Sequence, residues 1–180
     1  MTSIDELKNK VPLVKAWIID LLNKNQGKGQ FVAQYNFPNL KFFFDQRILN
    51  SAKVIVIDKV PQVPLASLGL PQFSGFENGN YAGVTYLNTY FVATGYIQQE
   101  SLHFHELIHV VQWERLGIDK FILLYGLFLL QHGYRDSPLE DMAFKYQNLF
   151  EQKKCPTDLI SRICNEVDHL YISLSKQFSI

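Results

Sequence analysis

The hydrophobic positions of this chain change period as it proceeds. Leu13, Val14, Trp17, Ile18, Leu21 and Leu22 recur at helical spacing, the stripe of a helix with one face in a core. Ser3-x-x-Glu6 reads as a capping box that opens this helical segment within residues 1–30. Pro12 either kinks the helix or starts a second one as its first residue. The polar run Asn23 to Gln30, with Gly27 and Gly29, ends it. The stretch Lys53 to Val60 (KVIVIDKV) is rich in β-branched residues and stops at Pro61, which predicts a strand. Pro61, Pro64 and Pro71 then mark an irregular connection running to Gly79. Ala82 to Ala93 has strand character again, as one strand or as a hairpin turning at Asn88-Thr89, before Gly95 breaks it.

From Leu102 the period becomes helical once more, and the helix is unusual. Leu102, Phe104, Leu107, Ile108, Val110, Val111, Trp113 and Leu116 cover nearly every face, as expected of a helix in the middle of a domain. Gly117 stops it, and Asp119 is placed to cap the next helix, Lys120 to Gln131, which is almost entirely apolar and so predicted buried. Gly133 ends that helix. Ser137-Pro138-Leu139-Glu140 opens another, through about Lys153, with Ser as N-cap, Pro at the first position and Glu at the third. After Pro156 a last helix within 156–180 carries Leu159, Ile160, Ile163, Val167, Leu170, Tyr171 and Leu174 at helical spacing. No repeat or linker interrupts the pattern. The expectation is a single α+β domain over residues 1–180, rich in helix, with a small and mostly antiparallel sheet.

Composition narrows the class. With 180 residues, 47% of them hydrophobic and 14% aromatic, the chain can build a compact core. Seventeen basic and seventeen acidic residues cancel, and no basic stripe stands out, so nucleic acid is not an expected partner. The N-terminus lacks the basic-then-apolar order of a signal peptide. The longest apolar run, Phe121 to Leu130, is ten residues, too short to cross a bilayer. A soluble cytoplasmic protein is expected, with Cys155 and Cys164 reduced in the core.

The buried helix also carries chemistry. His105, Glu106 and His109 form H-E-x-x-H. Residues four apart on a helix share a face, so both imidazoles can bind one ion, with Glu106 beside them as a base for a water on that ion. A catalytic zinc usually takes three protein ligands and keeps one position open. The extended pattern that returns a third His is excluded, because Gln112 and Arg115 stand at its Gly and His positions. The remaining common arrangement draws a Glu from a later helix. Glu140, 31 positions after His109, is the candidate, although Ser137-x-x-Glu140 can equally be a capping box. Asp136 and Asp141 are the fallback carboxylates. His103 points to another face and His169 lies in the last helix, so neither is expected to ligate. Gln112, one turn beyond His109, either supports the ligand or bonds the backbone. His132 and Tyr134 are oxyanion donors or structural groups.

These residues resemble a known family. His105 to Gln112 (HELIHVVQ), then Gly133-Tyr134 and Pro138-Leu139-Glu140-x-x-Ala143, is similar to gluzincin-type, zincin-like metallopeptidase proteins of bacteria, in which H-E-L-x-H-x-x-Q precedes a P-[LF]-E-x-x-A helix. The likeness extends through Lys53 to Val60, Leu68-Gly69-Leu70 and Gly83-Val84-Thr85-Tyr86, and so spans about Phe37 to Phe150. It implies a zincin-like fold around a buried active-site helix, and Zn²⁺ on His105, His109 and Glu140. The implied reaction is peptide hydrolysis, in which Glu106 assists attack by zinc-bound water. It also implies an extended peptide or protein substrate laid along a strand within Gly83 to Val92. Two rival expectations stand beside it: a zinc-binding scaffold without catalysis, and a helical domain without metal.

Overall fold

A computed structural model describes residues 4–178. Ser3, the proposed cap of the first helix, lies outside them. Helix α1 (Ile4–Lys24) runs unbroken through Pro12. Pro12 is on the exposed side, where the carbonyl left free by its missing N–H can reach water. Leu7, Val14 and Ile18 are buried on the opposite side, while Leu13, counted in the hydrophobic stripe, is 46% exposed.

The sheet is assembled from short pieces. Strand β1 (Gln30–Phe31) leads to helix α2 (Gln46–Ser51), whose N-cap Asp45 accepts a hydrogen bond from the Ile48 N–H at 2.9 Å. Strand β2 (Lys53–Ile57) is shorter than the sequence predicts. Asp58, next along, instead accepts from the Thr94 hydroxyl at 3.1 Å. After the irregular connection and the single turn of α3 (Ser74–Glu77), strands β3 (Gly83–Tyr86) and β4 (Thr89–Ala93) form a hairpin. Its turn residues are Leu87 and Asn88, one position earlier than Asn88-Thr89, and Leu87 takes a left-handed φ of 58°. The strand order is β1-β2-β4-β3. The two outer pairings are antiparallel, but the central one, β2 with β4, is parallel over five residues. The antiparallel character is thus confined to the flanks, because the chain crosses over and spends its return on β3.

Four helices complete the fold: α4 (Glu100–Leu116), α5 (Ile118–His132), α6 (Pro138–Glu151) and α7 (Leu159–Phe178). Every residue from Leu102 to Trp113 is buried, and α4 packs against β3, α5, α6 and α7. Its fully buried Phe104, Leu107, Ile108 and Val110 each contribute roughly 1.5–3 kcal/mol by leaving water. Gly117, at φ 73°, ends α4 and opens α5. Asp119 does not cap α5. It reaches across to Lys15 of α1 at 2.9 Å, and both side chains remain largely exposed, so the pair adds little stability. The apolar α5 is buried at Phe121, Leu124, Leu127, Phe128 and Leu129 but leaves Leu130 36% exposed. Helix α7 presents Leu159, Ile163, Val167 and Leu174 to the core. Cys155 and Cys164 are free and half-buried. Among the described residues, no helix is long and apolar enough to cross a membrane.

Candidate metal centre

Helix α4 is buried all round, so the polar side chains within it need partners, and each has one. His103 is held between the Ile97 carbonyl and the Tyr90 hydroxyl, both at 2.8 Å. A carbonyl only accepts, so Nε2 carries the proton and Nδ1 accepts from Tyr90. Burial lowers the pKa of His103. It is a neutral structural residue with both nitrogens occupied.

His105 and His109 are arranged the other way round. His105 Nδ1 lies 3.0 Å from Gln147 Oε1, and His109 Nδ1 lies 2.8 Å from Gln112 Oε1. Both amides are oriented by bonds that their nitrogens donate, from Gln112 to the Leu139 carbonyl at 3.0 Å and from Gln147 to Glu151 at 3.2 Å. The oxygens facing the rings can therefore only accept, which places a proton on each Nδ1 and leaves each Nε2 to ligate. The two Nε2 atoms lie 3.1 Å apart, and Glu140 Oε2 is 3.5 Å from each.

Glu140 sits in the first turn of α6, and its role is decided by where it points. The capping box does not form: Ser137 is the N-cap, but its hydroxyl is buried and makes no hydrogen bond. The Glu140 carboxylate turns inward, with Oε1 accepting from the Tyr125 hydroxyl at 2.7 Å and Oε2 buried without a hydrogen-bond partner. An orphaned carboxylate oxygen in a dry site is costly, on the order of 1–3 kcal/mol or more. It faces the Nε2 atoms of both histidines at 3.5 Å and so marks a place for a cation, either the proton that His109 holds without metal or a metal ion in its stead. Four ligands set tetrahedrally at about 2.0–2.1 Å from a metal lie about 3.3–3.4 Å from one another, and the observed edges of 3.1, 3.5 and 3.5 Å bracket that spacing. His105, His109 and Glu140 thus form a buried group able to hold a metal ion. Asp136 and Asp141 are exposed, as are His132 and His169, and the structure brings none of them to this group.

Glu106 projects toward β3. Its Oε2 accepts from the Thr85 hydroxyl at 2.6 Å. Gly83 gives it room: a Cβ there would stand 2.4 Å from Glu106 Oε1, so any larger residue would force the Glu106 carboxylate to move. The Trp113 indole donates to the Thr85 carbonyl at 3.1 Å and fixes the strand on the helix. Glu106, the two histidines, Glu140 and Tyr134 line one cavity. Tyr134 is half-buried and packs edge-on against Tyr81 with ring centroids 4.7 Å apart.

Electrostatics follow from this crowding. Burial pushes the Glu106 carboxyl above its ordinary range, with His105, His109 and Thr85 holding part of the rise back. Burial opposes charge on Glu140 too, but the neighbouring histidines outweigh it and hold that carboxyl below the ordinary range. Burial likewise disfavours charge on His109, yet Glu140 and Glu106 raise it to about 9. Without metal, His109 therefore keeps a proton. Its contribution to stability is complete below the ordinary value of 6.5 and fades as pH rises through about 9. The same proton must leave before Nε2 can ligate. Apparent metal affinity, measured by chelator competition, is accordingly expected to rise about tenfold per pH unit up to about pH 9 and then to level off.

Several members of this site carry no local signature. Gln147 has a faint one, since it lies seven residues after Glu140 and so shares its face of α6. Tyr125 and Thr85 have none, because their partners come from other elements. No protein-family model, curated protein or solved structure matches this chain. The likeness to zincin-type peptidases accordingly rests on the H-E-x-x-H motif, on Glu140 and on the geometry that joins them.

Proposed function

We propose that this chain is a zinc-dependent peptidase. The observation that carries the proposal is the convergence, in one cavity, of a three-ligand group and the separate carboxylate of Glu106. Two imidazole nitrogens and one carboxylate oxygen at near-tetrahedral spacing suit zinc. Zinc bound there supplies a Lewis acid that acidifies water and polarises a carbonyl.

The chain's own residues account for the rest. Glu106 is held by Thr85, and its raised pKa makes it a stronger base than an exposed glutamate. It takes the proton from the attacking water and passes it to the leaving amine. Tyr134 has its pKa raised by burial and by Glu140, so its hydroxyl stays protonated and can donate to the oxygen on which charge develops. Strand β3 is an edge of the sheet. Its outward side at Gly83 offers main-chain groups to an extended peptide.

The test is a screen of zinc-loaded protein against a mixed peptide library, with and without chelator. Cleavage restricted to the loaded protein is expected. Full zinc occupancy with no peptide cut would leave the zinc-binding scaffold as the better reading.

A further inference from the structure

The cavity at the metal centre does not end there. It extends from the three ligands into a mostly apolar space between α1, α5 and the 61–76 connection, and the whole cavity, metal centre included, measures about 110 Å³. Its far walls are Val11, Val14 and Ile18 from α1, and Ile122, Leu123 and Gly126 from α5. Helix α1 lies outside the stretch that resembles known peptidases, so this wall belongs to the present chain. Two polar side chains, Lys10 and Gln62, interrupt the apolar lining of this part, and Gln62 is the one with buried, unpaired atoms. Gln62 faces the cavity, and both its Nε2 and its Oε1 are buried without a hydrogen-bond partner.

An unpaired carboxamide in an apolar pocket is an expensive arrangement for a fold to keep. It lacks one acceptor and one donor, the complement that a peptide group supplies. The volume sets the second requirement. An apolar cavity of about 150 Å³ accepts benzene, so a cavity that is smaller even with the metal centre included has room beyond the ligands for one aliphatic side chain and not for a long acyl chain. Resting on the peptidase reading, we infer that the substrate is a peptide carrying a leucine-, isoleucine- or methionine-sized side chain beside the bond to be cut. That side chain fills the space between α1 and α5, and the Gln62 carboxamide pairs with the adjoining peptide group. Gln62 is thus a positioning and specificity residue, and α1 forms part of the substrate site.

The test is by binding, independently of turnover. Zinc-loaded protein is titrated with N-acetyl-leucine N-methylamide, with its glycine counterpart and with N-decanoyl methylamide. The readout is the NMR shifts of the Trp113 indole and the Gln62 side-chain amide, since both residues line the cavity. The leucine probe is expected to bind at least about tenfold more tightly than the glycine probe. Gly126→Leu, which sends a side chain into the cavity, abolishes the difference while zinc content is retained. Gln62→Leu separates positioning from packing: it raises Tm by removing unpaired polar atoms, yet weakens the leucine probe about tenfold.

Equal binding of the leucine and glycine probes overturns the inference, as does tighter binding of the decanoyl probe, which would make the pocket a lipid site. Cleavage of library peptides without preference for an aliphatic neighbour also overturns it, and leaves the peptidase standing. Leucine-probe binding with no peptide cut does the reverse, sinking the peptidase and leaving the pocket with its ligand.

Discussion

A Glu140→Ala variant, loaded with zinc and dialysed beside the wild type, is expected to come out empty while the wild type keeps one equivalent. Two histidines would remain, each still oriented by a glutamine, but the only anionic ligand would be gone. Losing a hydrogen bond that merely supports a ligand costs about 10–100-fold in metal affinity, and losing the ligand itself should cost more. Thermal unfolding provides an independent readout. Metal at about a thousand times its Kd stabilises a fold by about 4 kcal/mol, which for a chain of this size is a rise in Tm of about 8–16 °C. The wild type should show that rise on adding zinc, and the variant should show almost none at the same concentration. In the metal-free variant the His109 pKa should fall from about 9, because burial is then opposed by Glu106 without Glu140. Equal zinc in both proteins would mean that the third ligand lies elsewhere.

Glu106→Gln tests the chemistry instead of the metal. Glutamine keeps the size of the side chain and can still accept from the Thr85 hydroxyl, which the wild-type carboxylate does at 2.6 Å. It cannot take up a proton. Peptide hydrolysis by the variant should fall by about 10²–10⁴, the range that general-base catalysis supplies, while zinc content and Tm stay close to those of the wild type. Because Glu106 touches Thr85 and not the ligand atoms, the loss should fall on kcat with little change in metal affinity. A variant that cut peptides at the wild-type rate would remove Glu106 from the mechanism.

The two helices that make the site were readable because their signals are local. An uninterrupted apolar surface marked α4 as buried, and H-E-x-x-H in its middle placed two imidazoles on one face. Ser137-Pro138 marked the start of α6, but the same letters offered Glu140 two roles. A local capping bond competed with a pair of distant histidines, and in the structure the histidines win: the Ser137 hydroxyl goes unpaired while the carboxylate turns inward. Sequence alone cannot weigh that contest, since one contestant lies a helix away. Thr85 and Tyr125 were hidden for the same reason, as hydroxyls whose function depends on a partner brought by the fold. The remaining differences are matters of length and direction. Two-residue β1 and six-residue α2 are too short for a period to show. The parallel pairing of β2 with β4 depends on how the chain crosses over, which no window of residues contains.

The outer side of β3 has a consequence for how this protein behaves in a crowd. A sheet edge invites other strands, and long flat edges seed aggregation. Here the edge strand is four residues long, and the indole of Trp113 already occupies the Thr85 carbonyl. Alternation along a strand puts Gly83 and Thr85 on the same side, so a foreign strand could pair fully only around Gly83 before meeting the indole. That is enough to hold a short segment in passing and too little to nucleate a growing stack. A tryptophan from α4 thus leaves the protein an open edge without making it sticky.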